Sequence, residues 1–289
     1  MRQAADEAEF SEVGNLHRAI IGRGSRYTGL VRVLIVSDIH ANLAALEAVL
    51  RDAAARGPID AVWNLGDCVG YGPQPVECIA RLRELSASGG LMVAGNHERA
   101  ATGAISTADF NPNAAAAAAW TRDQLGEEEK SYLDALPEVT RAKAGPDAGP
   151  DAEFTLVHGT LREPIWEYLN SHEAARGHLR LQETALGLVG HTHVPMLAVE
   201  DGSAPQGCEL YRLADGEAVE LAQRRKIVVN PGSVGQPRDR DPRASYAICD
   251  TEQAAVTLHR VEYDIGATQA LMETAGLPRW LIERLEAGR

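Results

Sequence analysis

An α/β (α+β) protein, with two mixed β-sheets packed face to face and helices on the outside, is what three observations in the sequence predict. Apolar runs of strand length recur at 31–36, 61–65, 91–94, 154–157, 186–189, 226–229, 244–249 and 255–260. The early runs alternate with helix-like stretches, which argues for a parallel-rich core. The later ones follow one another with little helix between them, which argues for mixed or antiparallel pairing in the second half.

Each element has a local reason. Residues 31–37 (VRVLIVS) are the first strongly apolar stretch, and the 30 residues before them are polar and end Gly-rich (GRGSRYTG). Residues 1–30 therefore read as an N-terminal extension, disordered or an artefact of start-site choice, because a GTG start codon would spell Val31. Protein from the native host that begins at Met1 would rule the artefact out. Residues 42–55 place Leu43, Leu46, Val49 and Leu50 at helical spacing. Residues 75–85 carry Pro75 in a first turn, where its missing N–H costs nothing. The Ala run 114–119 makes 111–129 a helix by propensity. The Pro/Gly repeat at 144–152 (AGPDAGPDA) predicts a mobile surface loop, and the tail from 266 predicts two short helices broken at Gly276-Leu277-Pro278. No long-period repeat is visible, and residues 31–289 are expected to form one domain.

Composition narrows the class. A chain of 289 residues with 45% hydrophobic and 24% charged side chains can bury a large core. No apolar run approaches the roughly 20 residues of a membrane span, and the first residues lack the order of a signal peptide. No membrane partner is expected, and the protein is placed in the cytoplasm. Cys68, Cys78, Cys208 and Cys249 form no C-x-x-C pair, so they read as reduced, buried thiols. A net charge of −13, with Arg224-Arg225-Lys226 as the longest basic run, argues against long nucleic acid. A small phosphorylated molecule held by metal ions remains open.

Five polar clusters each follow a strand-like run directly: Asp38-x-His40, Gly66-Asp67, Gly95-Asn96-His97-Glu98, His158-Gly159 and Gly190-His191-Thr192-His193. In an open α/β sheet the carboxyl ends of strands meet one crevice, so the five predict one site. Residues two apart in an extended segment project to the same side, which would let Asp38 act with His40 and His191 with His193. Imidazole and carboxylate without thiolate suit Mn²⁺, Fe or Zn²⁺, and there are too many imidazoles for Mg²⁺ or Ca²⁺ alone. A lone Asp-x-His is usually a solvated turn. Five of the nine histidines fall in these clusters, which a set of unrelated turns does not explain.

In this order, D-x-H, G-D-x-x, G-N-H-[DE], H and G-H-x-H, the clusters resemble the signature of the calcineurin-like metallophosphoesterase superfamily, over the chain from about residue 31 to its end. The resemblance implies a four-layer metallophosphoesterase fold and a phosphoester hydrolase. Residues 66–73 (GDCVGYGP), 230–238 (NPGSVGQPR) and the Gly-Leu-Pro of the tail are similar to its small bacterial and archaeal phosphodiesterase branch. Residue by residue, the resemblance implies Asp38, His40 and His193 around one metal, Asn96, His158 and His191 around another, and Asp67 bridging both. Two divalent ions, Mn²⁺ ahead of Fe, Zn²⁺ or Ni²⁺, would make hydroxide available near neutral pH and clamp phosphoryl oxygens for in-line displacement. His97 is implied beside the substrate, as an imidazolium that stabilises charge and protonates the leaving oxygen. Glu98, where many relatives carry Asp, would orient it.

Phosphoprotein phosphatases of the superfamily carry Asp-Arg in G-D-x-x-D-R-G, the arginine gripping phosphate; here Gly70-Tyr71 stand at those positions. That difference favours a phosphodiesterase acting on a small phosphorylated or nucleotide substrate. The alternatives are a phosphomonoesterase or phosphoprotein phosphatase, a scaffold resembling the retromer subunit, and a slowly hydrolysing cyclic-nucleotide sensor. Filled ligand positions argue against the scaffold. Asn230-Pro231-Gly232-Ser233 has turn chemistry and reads as a structural loop, with phosphate contact through Ser233 as the sharper option. Arg238, Arg240 and Arg243 alternate with acids and read as a solvated loop from which one arginine can meet an anion. His172, His178 and His259 read as exposed or core-satisfied, and Trp166 and Tyr168 as packing or cleft lining.

Overall fold

Strand β1 (Arg32–Val36) is buried on both faces, and its alternation sets the layers. Val33 and Ile35 enter an apolar layer with Trp63, Phe154, Leu188 and Val229. Leu34 and Val36 point the other way, onto Leu46, Val49 and Ile79 of helices α1 (Leu43–Ala55) and α2 (Pro75–Ser86). Successive strand side chains point to opposite faces, so a strand covered twice must be apolar throughout. Each such Val, Leu or Ile contributes roughly 1.5–3 kcal/mol by leaving water.

The computed structural model describes residues 31–87, 89–144, 153–221 and 225–289. The extension at 1–30 and most of the Pro/Gly loop, 145–152, lie outside the described residues. Strands β2 (Ala61–Asn64) and β3 (Leu91–Met92) run parallel to β1, and β11 (Ala244–Asp250), β12 (Ala255–Val261) and β9 (Ala218–Glu220) continue the sheet antiparallel, in the order β3-β2-β1-β11-β12-β9. The second sheet has the order β4 (Val139–Lys143), β5 (Glu153–Val157), β6 (Leu186–Leu188), β10 (Ile227–Asn230), β7 (Met196–Glu200), β8 (Cys208–Arg212), with β5, β6 and β10 parallel. The outer face of the second sheet packs Val157, Ala198 and Val228 on Ala175 and Leu179 of α6 (His172–Leu181). The result is the expected four layers: helix, sheet, sheet, helix. Helices α7 (Ile265–Thr274) and α8 (Arg279–Ala287) pack Met272, Leu281 and Leu285 with Ala114 and Ala117 of α4 (Pro112–Gln124) and with Tyr71.

Four strands go beyond the sequence reading, three of them for a shared reason. β4 and β8 have mostly solvent-facing or half-exposed side chains and β9 is three residues long, so these three present no continuous apolar run; β7 does carry one, Met196-Leu197-Ala198-Val199, which the sequence reading passed over. Helix α6 was not foreseen either, although Ser171 caps it by accepting from the N–H of Ala174. The helix expected at 111–129 is two, α4 and α5 (Glu127–Asp134), because Leu125 is extended and Gly126 starts the second. The tail does form two helices, divided after Ala275 by Gly276 in the left-handed region.

Candidate metal centre

The segments that follow β1, β2, β3, β5 and β6 bring all five clusters to one crevice, but not by extended projection. Asp38, His40, Asp67, His191 and His193 have φ of 52°, 49°, 53°, 64° and 59°. The expectation that pairs two apart share a side because the chain is extended is therefore corrected: left-handed turns aim them. Such a backbone costs roughly 1–2 kcal/mol for a non-glycine residue, and Asp and His are among the types that accept it best. Cross-loop hydrogen bonds hold the turns: Asp38 N–H to Gly66 O (3.0 Å), His40 N–H to Asp67 O (2.9 Å) and Gly190 N–H to His158 O (2.8 Å). Strain of this kind gathers at functional sites.

Four imidazoles are oriented from behind by main-chain carbonyls. His40 Nδ1 lies 3.1 Å from Val69 O, His158 Nδ1 2.8 Å from Leu65 O, His193 Nδ1 2.6 Å from Gln236 O, and His191 Nε2 3.1 Å from Trp166 O. A carbonyl only accepts, so each of these nitrogens carries the proton and the opposite nitrogen of each neutral ring is bare. The bare nitrogens face one another in pairs, His40 Nε2 to His193 Nε2 at 3.1 Å and His158 Nε2 to His191 Nδ1 at 3.0 Å. Two lone pairs at that distance repel unless a proton or a metal cation lies between them, and a backbone partner on the far nitrogen is the usual support of a metal-ligating histidine.

The carboxylates complete both groups. Asp38 accepts from Ser37 Oγ (2.7 Å) and from the His191 N–H (3.0 Å) through Oδ2. Its Oδ1 has no hydrogen-bond partner among the described residues and stands 3.2 Å from His193 Nε2. Asp67 Oδ2 lies 3.2 Å from His158 Nε2 and 3.8 Å from His40 Nε2, between the two groups. The amide oxygen of Asn96 is likewise buried without a partner. Burial works to raise both aspartates, but His193 pulls Asp38 below its ordinary value and His158 does the same to Asp67. Burial pushes His191 down to about 3, whereas the Asp67 carboxylate reverses the effect of burial on His158 and lifts it to about 9, so without a metal ion His158 Nε2 takes a proton, which a divalent cation there would displace. Buried ionised carboxylates beside bare imidazoles and orphaned oxygens fit a pair of divalent cations.

Glu98 has a different place from the one expected. Its fully buried carboxylate accepts from four main-chain N–H groups, those of Gly95 (2.7 Å), Asp67 (2.7 Å), Cys68 (2.7 Å) and Val69 (3.2 Å). The reading that it orients His97 is corrected: it fastens the Asp67 loop to the start of α3 (Asn96–Thr102). Burial and then the Asp67 charge raise Glu98, against the pull of these N–H donors. Gly95 is required by proximity, since a Cβ there would sit 2.1 Å from Asp67 Oδ1. His97 donates its main-chain N–H to Asp67 Oδ1 at 2.9 Å, and its ring lies among Tyr71 (4.3 Å), His40 (4.9 Å) and Phe110 (5.2 Å). Burial pushes its imidazole down to about 4, so the expected imidazolium requires an anion beside the ring. Tyr71 and Phe110 are site residues that the sequence reading missed; the aromatic inside the 66–73 turn was the available signal.

The 230–237 loop is structural, as expected. Asn230 Nδ2 donates to Gly190 O (2.6 Å) and to Thr192 Oγ1 (2.9 Å), and Ser233 Oγ donates to Asp38 O (2.8 Å) while accepting from Gln236 N–H (2.8 Å). Ser233 is fully buried with its hydroxyl engaged, which overturns the phosphate-contact option. Tyr168 stacks flat on His191 at 4.0 Å and is 42% exposed, so it both packs and lines the cleft. His178 is core-satisfied between Leu161 N–H and Gln182, His172 is exposed and His259 half-buried. All four cysteines are buried and free.

A family model for the calcineurin-like phosphoesterase superfamily domain matches residues 31–254. The chain belongs to that superfamily. Metallophosphoesterase membership makes it a hydrolase of phosphoester bonds. It is 37% identical over 258 residues to an uncharacterized protein of Methanocaldococcus jannaschii, covering 89% of this chain and 98% of that one. The metallophosphoesterase of Sphaerobacter thermophilus superposes with a TM-score of 0.78 at 45% identity, covering 90% of this chain and all (100%) of the other. A hypothetical protein of Pyrococcus horikoshii shares the fold, with a TM-score of 0.71 at 24% identity over 90% of this chain and 99% of its own.

Proposed function

We propose that this metallophosphoesterase is a phosphodiesterase of small phosphorylated or nucleotide substrates, working with two divalent ions in the cytoplasm. The two imidazole pairs with facing bare nitrogens, at 3.1 and 3.0 Å, carry the reading. Asp38, His40 and His193 would hold one ion and Asn96, His158 and His191 the other, with Asp67 between them; Mn²⁺ is placed ahead of Fe, Zn²⁺ and Ni²⁺. Such a pair, when bound, supplies a nucleophile from water near neutral pH and a clamp on phosphoryl oxygens. The chain contributes position. Glu98 fixes Asp67 through the backbone, Ser37 and the His191 N–H fix Asp38, and four carbonyls fix the imidazoles. His97, against Tyr71 and His40, stands where its ring can give a proton to the leaving oxygen.

Diester preference is supported by two features. In the sequence, Tyr71 stands at the position of the phosphate-gripping arginine of the phosphoprotein phosphatases. Trp166 and Tyr168, 36% and 42% exposed beside His191, offer an apolar wall to a second ester substituent. Free buried thiols accord with a reducing compartment.

A panel of bis(p-nitrophenyl) phosphate, p-nitrophenyl phosphate and nucleotide esters, run with Mn²⁺, Mg²⁺, Zn²⁺ and chelator, tests the proposal. Faster turnover of the diester, abolished by chelator, is expected. Faster monoester turnover would move the assignment to phosphomonoesterase, and no turnover with any ion would sink it.

A further inference from the structure

Arg238 lies in a loop rich in both signs of charge, yet it has no acidic partner among the described residues. Asp239 pairs with Arg260 and Asp241 pairs with Arg243 at 2.7 Å, and among the described residues no carboxylate lies within 4.0 Å of Arg238. In a chain with 41 acidic and 28 basic residues, a half-buried arginine without a carboxylate is held for another purpose. Its main-chain N–H donates to His193 O (3.2 Å), and its Nη2 donates to Gln236 Oε1 (2.8 Å). The guanidinium sits over the Tyr71 ring, 5.7 Å from its centre, and that ring is 4.5 Å from His40 and 4.3 Å from His97. Arg284 of α8, whose Nε donates to the Arg289 main-chain oxygen and which pairs with no Asp or Glu among the described residues, is close enough that the Arg238 charge adds to burial in lowering it to about 10. Of these two like charges Arg238 is the one over Tyr71, and it has no carboxylate to neutralise it among the described residues.

We infer that Arg238 is a substrate-binding residue that takes a phosphoryl oxygen, its guanidinium reaching from the end of the 230–238 loop over the Tyr71 ring. This rests on the metallophosphoesterase reading of the same site. A guanidinium forks onto two oxygens where an ammonium cannot, which makes arginine the suited group.

The test is calorimetric binding of inorganic phosphate to the full chain loaded with Mn²⁺, with metal content measured alongside. Arg238→Gln is expected to weaken phosphate by about 10- to 100-fold at unchanged metal content. Arg238→Lys should recover part of that loss. Arg240→Gln, which removes the same charge from an exposed neighbour, should stay within about two-fold. Phosphate affinity of Arg238→Gln within about two-fold of wild type overturns the inference. So does an equal fall in Arg240→Gln, which would mean a general field, or loss of metal from Arg238→Gln, which would mean support of His193 through Gln236. Should wild type bind no phosphate and cleave no ester, the reading of the site fails first and the inference falls with it.

Discussion

Glu98 takes the main-chain N–H of Asp67 at 2.7 Å from 31 residues further along the chain, and the same carboxylate takes Gly95, Cys68 and Val69. A carboxylate presents only acceptors, which suits a ring of donors; an amide does not. Glu98→Gln must turn an NH₂ group towards at least one main-chain N–H. Stability is expected to fall by about 2–4 kcal/mol, read as a lower denaturation midpoint. An unchanged midpoint would show that the four bonds are not holding the loop.

How much of this was legible beforehand depends on where the information sits. Strand ends followed by Asp, Asn and His gave the ligand-type residues and their meeting place, because periodicity and motif are local. Left-handed φ at Asp38, His40 and His193 is not readable, since neither residue type demands it and only contacts made later, such as Gly235 N–H to Asp38 O at 3.0 Å, hold it. The role of Glu98 was misread for the same reason: its partners are backbone groups on another loop. Tyr71 was visible as a letter, but its position between His40 and His97 follows from the fold. Edge strands β4, β8 and β9 escaped because half-exposed strands need few apolar residues.

Metal removal should destabilise the fold. His40 and His193 hold facing nitrogens 3.1 Å apart and Asp38 Oδ1 has no partner among the described residues, so a cation would find a site in the folded chain that the unfolded one lacks. Mass action then adds about 2.7 kcal/mol per site at a free ion concentration 100 times the dissociation constant. Scanning calorimetry should show a midpoint lowered by chelator and restored by Mn²⁺ or Zn²⁺. A midpoint indifferent to both would speak against either group as a cation site.

His97→Ala should separate chemistry from metal retention. The contact of residue 97 to Asp67 runs through its main-chain N–H, at 2.9 Å, and survives the substitution, whereas the ring beside Tyr71 is lost. Turnover is expected to drop by about 100-fold or more, with the metal content measured by elemental analysis unchanged. Equal turnover would remove the proton-donor role, and loss of metal would make His97 a structural support instead.

His178 gives a pH dependence away from the metal centre. Its Nδ1 accepts from Leu161 N–H at 3.2 Å and its Nε2 donates to Gln182 Oε1 at 3.1 Å, an arrangement only the neutral ring allows. Burial pushes it down from 6.5 to about 4. A group depressed in this way leaves stability intact above its unfolded value and removes it as pH falls towards the folded one, because the unfolded chain takes up the proton first. Between about pH 7.5 and 5 the loss from this residue is about 2 kcal/mol. In His178→Asn the side-chain carbonyl keeps an acceptor for Leu161 and cannot titrate, so that loss is absent, while the metal-site histidines contribute alike to both proteins. Urea unfolding at the two pH values should therefore show the gap between wild type and His178→Asn narrowing by that amount on acidification, and a constant gap would mean that the folded chain takes up this proton as readily as the unfolded one.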